Sequence, residues 1–144
     1  MKITLVTVGK APQATIREIV ADYAGRIGRY VNFDFIETTE EKLAAVLGKH
    51  DRVFLLDERG TECRSVEFAD IIERQLNSGV KSVAFTIGGP FGFADDVRAV
   101  AQAKRGGSIA LSKMTFPHDL VRVIFLEQLY RAFTIIRNEK YHHE

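Results

Sequence analysis

KSVAFTIGGPFGFADDVRAVAQA, residues 81–103, contains a complete strand, turn and helix. Residues 81–87 are rich in β-branched and aromatic side chains, which is typical of a strand. A run containing three glycines and a proline follows at 88–92, and the residues from about 94 to 103 form a helical pattern. This order of strand, glycine turn and helix indicates one unit of an α/β sheet.

The same alternation extends to both ends of the chain. Residues 2–8 are β-branched with partial period-two alternation, and apolar residues recur at helical spacing within 13–30. Strands are predicted at 2–8, 31–37, 52–56, 81–87 and 108–112, and helices at 13–30, 40–49, 65–77, 94–103 and 116–137.

Five strands that alternate with five helices predict an α/β fold with a mostly parallel five-stranded sheet. Helices are expected on both faces of that sheet, in a single domain that spans residues 1–144. Ligands of such sheets bind beyond the carboxyl ends of the strands. The loops after the third, fourth and fifth strands are therefore expected to hold the functional site.

Composition excludes several classes of protein. The chain has 144 residues, of which 46% are hydrophobic and 27% charged, so disorder, collagen and coiled coil are excluded. The longest unbroken apolar run is five residues, at 43–47, which predicts no membrane partner. Cys63 is the single cysteine, which favours a cytoplasmic protein without a cysteine-rich zinc site. A net charge of +1 argues against capture of naked nucleic acid by bulk charge alone.

The glycine loop after the fourth predicted strand has two interpretations. Gly88 and Gly89 allow either a tight turn alone or the close approach of a ligand to main-chain N–H groups. The spacing is not G-x-G-x-x-G, and Ser108 stands where a ribose-binding acid is expected, which argues against NAD. The chain also lacks the G-x-x-x-x-G-K-[ST] motif of a nucleotide-binding P-loop.

The loop after the fifth predicted strand contains polar residues that helix capping does not explain. Thr115 is expected to cap the last helix, and Pro117 suits its first turn. Four neighbouring residues have no such role, and their position beside the glycine loop favours a pocket: Ser112, Lys113, Met114 and His118.

The last predicted helix is too apolar for a helix with one buried stripe. Twelve of the 17 residues at 120–136 are apolar, so the helix is either central and buried or in contact with a second subunit. A homodimer is the preferred interpretation. Glu127 and Arg131 stand four residues apart and are expected to form an ion pair.

The tail at 137–144 combines aromatic, imidazole and cationic side chains. It is either a frayed terminus or a group of side chains that stacks on a base, contacts phosphate and moves a proton. None of the histidines has the H-E-x-x-H or cysteine-pair spacing of a metal site, so no metal is expected.

Four motifs together resemble one known family. They are LLDERG at 55–60, FTIGGPFGF at 85–93, LSKMTFPHDLVRVIFLEQLYRAF at 111–133 and YHHE at 141–144. The chain resembles, from end to end, the RlmH family of 23S ribosomal RNA pseudouridine methyltransferases in the SPOUT superfamily.

This resemblance implies an α/β fold with a C-terminal trefoil knot and a homodimer that acts on the assembled ribosome. The implied reaction methylates ring nitrogen 3 of a pseudouridine in 23S rRNA, with S-adenosylmethionine as methyl donor. The implied donor-binding residues are Leu56, Gly88, Leu111, Ser112, Lys113, Met114, Thr115 and Phe116.

The implied reaction also suggests roles for polar residues outside the donor loops. The acceptor nitrogen must lose a proton, for which His142 is the first candidate and His118 the second. Tyr141 is expected to stack on the base. The candidates for phosphate contacts are Arg122, Arg131 and Lys140. The alternatives are a non-catalytic, ribosome-associated RNA-binding dimer with the same fold, and a small-molecule enzyme that uses a flavin or nucleotide.

Overall fold

The computed structural model describes residues 1–10 and 13–143, so Glu144 of the tail motif lies outside the described residues. Strands and helices alternate along the described chain, as predicted. The strands are β1 (Lys2–Val8), β2 (Asn32–Thr38), β3 (Arg52–Glu62), β4 (Ser82–Ile87) and β5 (Arg105–Ala110). The helices are α1 (Ala14–Ile27), α2 (Glu40–Leu47), α3 (Ser65–Asn77), α4 (Asp95–Ala103) and α5 (His118–Ile136).

The five strands form one sheet in the order β2-β1-β4-β3-β5, and each neighbouring pair is parallel. Helices α1, α3 and α5 pack on one face, and α2 and α4 pack on the other. The predicted α/β fold with helices on both faces is confirmed. The trefoil knot stays a prediction.

Both faces of the central strands are buried because side chains alternate along each strand. Leu5 and Phe85 pack with α3 and α5, whereas Val6 and Ala84 pack with α2 and α4. The ring of Phe85 lies 5.0 Å from that of Phe125, centroid to centroid, which places α5 directly on the sheet. The near-continuous apolar runs in the sequence reflect this two-sided burial.

The predicted end of the third strand is wrong. The sequence ends it at residue 56, whereas β3 continues to Glu62 after a register shift between Leu56 and Thr61. Residues 57–60 form a bulge in which Gly60 lies against the neighbouring main chain. A Cβ on Gly60 would lie 2.7 Å from the carbonyl carbon of Ser108. Gly60 therefore allows two strands to approach each other closely. The sequence alone indicates a turn at this position.

The predicted bounds of the fifth strand are also wrong. It begins at Arg105 rather than at 108, and it ends at Ala110. Gly106 lies so close to the peptide of Val53 that no side chain fits between them. Two consecutive glycines indicate a loop when taken alone, but here they allow β5 to pair with β3.

The last helix begins later than predicted, and Thr115 does not cap it. The helix starts at His118, with Pro117 as the residue before it. The Thr115 hydroxyl instead donates a hydrogen bond to Glu58, at 2.7 Å. The loop after β5 is thus joined to the bulge of β3. Among the described residues, no helix has the length and hydropathy needed to cross a bilayer.

Candidate functional site

A cavity of about 620 Å³ lies at the carboxyl edge of the sheet. Its walls are the bulge of β3, the loop at 88–93 and the loop at 111–117. These three loops meet because the parallel strands β3, β4 and β5 end at the same edge of the sheet. The volume is within the range of cavities that bury a small organic ligand.

Seven of the eight residues expected to bind the donor line this cavity. They are Leu56, Gly88, Leu111, Ser112, Met114, Thr115 and Phe116. Lys113 is the eighth, and it is not among the lining residues. Its side chain is 83% exposed, and its Nζ lies 3.6 Å from a carboxylate oxygen of Glu62. His118 also lines the cavity.

The glycine loop presents main chain at its glycines, and the rings of Phe91 and Phe93, to the cavity. A Cβ on Gly88 would lie 2.9 Å from the carbonyl oxygen of Gly92 and 3.0 Å from the ring of Phe93. The N–H of Gly92 donates a hydrogen bond to the Gly89 carbonyl, at 3.1 Å. The loop is therefore a compact turn with no room for a side chain at Gly88. A ligand can approach its peptide groups closely.

Two carboxylates outside the expected donor-binding set line the cavity beside the guanidinium of Arg59. They are Asp57 and Glu58, in the bulge of β3. Asp57 accepts hydrogen bonds from the Arg98 guanidinium at 2.9 Å and from the N–H of Arg59 at 3.1 Å. Burial raises the pKa of Asp57, but these bonds and both arginine charges outweigh it, so the pKa lies below its ordinary value. Asp57 is therefore ionised, and the charges of Arg98 and Arg59 balance it.

Apolar side chains form part of the cavity rim. Phe91 is 95% exposed and Met114 is 73% exposed, and both line the cavity. Large apolar side chains this exposed are uncommon in a chain with no partner at that surface. The rim is therefore a surface that a ligand or another chain is expected to cover.

His118 is held by a hydrogen bond to the end of β1. Its Nε2 lies 3.2 Å from the carbonyl oxygen of Val8. A carbonyl only accepts, so Nε2 must be the donor, and the neutral ring then has its lone pair on Nδ1. His118 thus has a nitrogen able to accept a proton while its ring stays anchored.

The tail is bound to α5 rather than frayed. Arg131 forms the predicted ion pair with Glu127, at 2.6 Å, and also contacts His142, with 3.0 Å between Nη1 and Nδ1. The Arg131 guanidinium lies 4.9 Å from the ring centre of Tyr141. Tyr141 packs edge-on against Tyr130, at 4.8 Å. Burial, together with Tyr23 and Glu127, raises the pKa of Tyr141 to about 12, so its phenol is neutral at physiological pH.

The contact with Arg131 determines the tautomer of His142. A guanidinium only donates hydrogen bonds, so Nδ1 of His142 must be the acceptor. A neutral His142 in this geometry therefore has its proton on Nε2. The two candidate histidines thus differ in whether Nδ1 has a donor. Nδ1 of His142 already accepts a hydrogen bond from Arg131.

The cavity and the tail are far apart within one chain. His118 and Arg131 stand thirteen residues apart on the same helix, which corresponds to about 20 Å at 1.5 Å per residue. His142 contacts Arg131 and is not among the cavity residues. The structure therefore places His118 at the expected donor site and His142 elsewhere.

The expected phosphate contacts have different environments. Arg122 is only 1% exposed, and its guanidinium lies 3.3 Å from a carboxylate oxygen of Glu37 and 3.8 Å from one of Asp119. A phosphate contact by Arg122 would require this part of the core to open. Arg131 is partly exposed and Lys140 is exposed, both beside the tail. Within residues 1–10 and 13–143, no three His, Cys, Asp or Glu side chains group as metal ligands.

Comparison with known proteins identifies a family. A family model described as "Predicted SPOUT methyltransferase" matches residues 1–142. The chain is 38% identical to "Ribosomal RNA large subunit methyltransferase H" of Flavobacterium psychrophilum, over all of both chains. It is 43% identical to the protein of the same name from Geobacter sulfurreducens, with 99% of this chain and 100% of the relative covered.

Solved structures show a related fold at low sequence identity. A putative methyltransferase from Legionella pneumophila, solved with bound SAM, superposes with a TM-score of 0.52 and 11% identity. The match covers 92% of this chain and 66% of that one. A crystal structure described as a hypothetical protein has a TM-score of 0.55 and 10% identity, with 94% and 81% covered. At such identities the likeness concerns the fold alone.

Proposed function

Because this chain belongs to the SPOUT methyltransferase family, we propose that it transfers a methyl group from S-adenosylmethionine to ribosomal RNA of the large subunit. The observation that carries the proposal is the cavity at the carboxyl edge, where three loops bring together seven of the eight expected donor-binding residues. The relatives named as ribosomal RNA large subunit methyltransferases support the acceptor class. The proposed unit is the single domain of residues 1–144, acting in the cytoplasm.

The cavity suits S-adenosylmethionine in its volume and in the combination of main-chain and apolar groups that line it. When bound, the donor supplies a methyl group on a positively charged sulfur. The peptide groups around Gly88, where a side chain would collide with the loop, would contact its polar edges. Leu56, Leu111 and Phe116 provide apolar walls, and the carboxylate of Glu58 offers a hydrogen-bond acceptor.

Methyl transfer needs alignment of the reacting atoms and exclusion of water, and no step of it requires a metal. A hydrogen bond between Thr115 and Glu58 joins two of the three loops, which helps to hold one reactant in a fixed orientation. Phe91 and Met114 at the rim exclude water once they are covered. The residues of the chain thus act mainly by positioning.

The proposed acceptor is nitrogen 3 of a pseudouridine in 23S rRNA on the assembled ribosome. Its N–H bond breaks, and a histidine takes the proton. His118 lines the cavity and has a lone pair on Nδ1, which supports it as the acceptor of the proton. His142 takes this role only if Arg131 releases its Nδ1. The geometry therefore favours His118 over His142, in the reverse of the order expected from the sequence.

A homodimer is part of the proposal because one chain does not bring its tail to its own cavity. About 20 Å along α5 separates His118 at the cavity from Arg131 beside the tail. The tail of a second chain is therefore proposed to complete the site. In that arrangement Tyr141 stacks on the target base, and Arg131 and Lys140 contact phosphates. The exposed rim of the cavity supports the pairing of two chains, whereas the apolar residues of α5 are mostly buried in the core of one chain.

Transfer of a labelled methyl group to ribosomes tests the function. We expect incorporation into 23S rRNA of ribosomes from a strain that lacks this protein, at a pseudouridine mapped by mass spectrometry. Protein-free rRNA should be a poor substrate, since a chain of net charge +1 depends on the shape of the assembled particle. No incorporation, with no heat on titration of S-adenosylmethionine, would instead support a non-catalytic RNA-binding dimer.

Mixed dimers test whether the tail acts on the partner's cavity. One chain has Gly88→Ala, which distorts the glycine loop and weakens donor binding, and the other ends at Lys140, which removes Tyr141 and the residues after it. Activity is measured at a donor concentration too low to load the Gly88→Ala cavity. Each variant alone is expected to be inactive. Co-expressed in equal amounts, half of the dimers are mixed and each has one intact site, so about a quarter of wild-type activity should return. If verified mixed dimers stay inactive, each site is built from one chain.

A further inference from the structure

Positively charged side chains collect at the amino edge of the sheet, opposite the cavity. Parallel strands all begin at this edge, and the helices between them run back to it. Three cations start strands, one precedes β4, and two follow α2 and α4. We call this group the amino-edge surface, and its members are Lys2, Lys49, Arg52, Lys81, Lys104 and Arg105.

The electrostatics of His50 show that members of this surface lie close together. Burial lowers the pKa of His50, and the next largest effect is the positive charge of Lys2. Lys104 and Lys49 lower the pKa further, whereas Asp51 raises it. One imidazole therefore lies within electrostatic range of three lysines from three different elements.

Few acids neutralise the amino-edge surface. Lys2 pairs with Asp34, at 2.6 Å. Asp51 uses its carboxylate to accept the main-chain N–H groups of Lys81 and Ser82, at 2.9 and 3.2 Å. Over residues 1–10 and 13–143, the other five cations form no ion pair with a carboxylate. Their positive charges therefore repel one another.

Two arginines of the amino-edge surface have unfavourable local environments in the folded protein. Arg105 has a φ of 60°, in the left-handed region that non-glycine residues rarely adopt. The Nε of Arg52 is buried and has no hydrogen-bond partner. Interaction with the helix dipoles accounts for Lys49 and Lys104, which follow α2 and α4, but not for Arg52 or Arg105 at strand starts. Contact with an anion would give Arg52 and Arg105 a role that the helix dipoles do not.

The tail reaches the same end of the molecule. Helix α5 begins beside Val8 at the carboxyl edge, and after its end Glu139 accepts a hydrogen bond from Tyr30 at 2.8 Å. Tyr30 lies just before β2, at the amino edge. An RNA segment that contacts the tail is therefore close to the amino-edge surface.

We propose that the amino-edge surface binds the phosphodiester backbone of ribosomal RNA outside the nucleotide that is methylated. The inference rests on the proposed function for the identity of the polyanion. Cations without neutralising acids, spread over the starts of three strands and two helix ends, match a chain of phosphates rather than one small anion. The net charge of +1 thus conceals a local excess that anchors the enzyme.

Charge reversal tests this surface. The variant has Lys49→Glu and Lys81→Glu, and the matched control has Arg17→Glu and Lys42→Glu, which change the charge equally at exposed helix positions elsewhere. Ribosome affinity is measured over a series of salt concentrations. We expect the amino-edge variant to bind about 10- to 100-fold more weakly, with a log–log salt slope shallower by about 1.5. The control should match the wild type.

Further measurements separate the possible failures. Titration with S-adenosylmethionine should give the same affinity for wild type, variant and control, which shows that the cavity is intact. Equal affinities and slopes for variant and control, with normal methylation by the wild type, would overturn this inference but not the proposed function. Polyglutamate and polyuridylate, at equal charge, are also compared as competitors of ribosome binding. Stronger competition by polyglutamate would show that the amino-edge surface prefers acidic protein to RNA, and would also overturn the inference.

Discussion

Gly88→Ala is expected to lower methylation sharply, at donor concentrations near the wild-type Kd, because it weakens donor binding. The new Cβ would lie 2.9 Å from the carbonyl oxygen of Gly92 and 3.0 Å from the Phe93 ring, so the loop must move. Forcing an extra carbon into a packed site costs about 1–3 kcal/mol, which corresponds to a loss of donor affinity of about 10- to 100-fold. Isothermal titration with S-adenosylmethionine measures the loss directly.

Gly25→Ala is the matched control, because a Cβ on Gly25 has no other atom within 4 Å. Gly25 lies within α1, where alanine favours the helix, so the control should bind the donor normally and be no less stable. Urea denaturation establishes whether Gly88→Ala is still folded. Unchanged donor affinity in a folded Gly88→Ala protein would show that the glycine loop is only a turn.

His118→Gln is expected to lower the single-turnover rate of methylation on ribosomes by about 100- to 10,000-fold, the usual range for loss of a general base. Glutamine still donates a hydrogen bond to the Val8 carbonyl, but it cannot accept a proton at physiological pH. Affinities for donor and ribosome should change little.

The matching variant is His142→Ala. A large loss in this variant, with His118→Gln near the wild type, would identify His142 as the base and require release of its Nδ1 by Arg131. Near-wild-type rates in both variants would eliminate a histidine base. In that case the proton leaves to solvent.

Helices and strands followed from periodicity because local patterns report which face of an element is buried. Alternation predicted β1 over its observed bounds, and helical spacing did the same for α3. The order of elements then implied a parallel sheet, and the parallel sheet implied that three loops meet at its carboxyl edge. The position of the loops that line the proposed donor cavity was therefore predictable from the sequence.

Glycines were the main source of error in the boundaries. Gly60 and Gly106 lie where two strands approach closely, but a glycine in a sequence indicates a turn as readily as a close approach. Thr115 was misassigned for a related reason. Its hydroxyl bonds to Glu58, which lies 57 residues earlier in the chain, so no local pattern could reveal that partner.

The sequence by itself determined the alternating elements, the sheet they form and the loops that carry the site, because these depend on local patterns of burial. The tertiary structure decided which polar groups meet. Only the structure paired Asp57 with Arg98, buried Arg122 beside Glu37, and separated His118 from the tail by most of one helix. These outcomes depend on contacts between residues far apart in the chain. Hydrogen bonds and ion pairs require short distances in space, which local sequence patterns do not reveal.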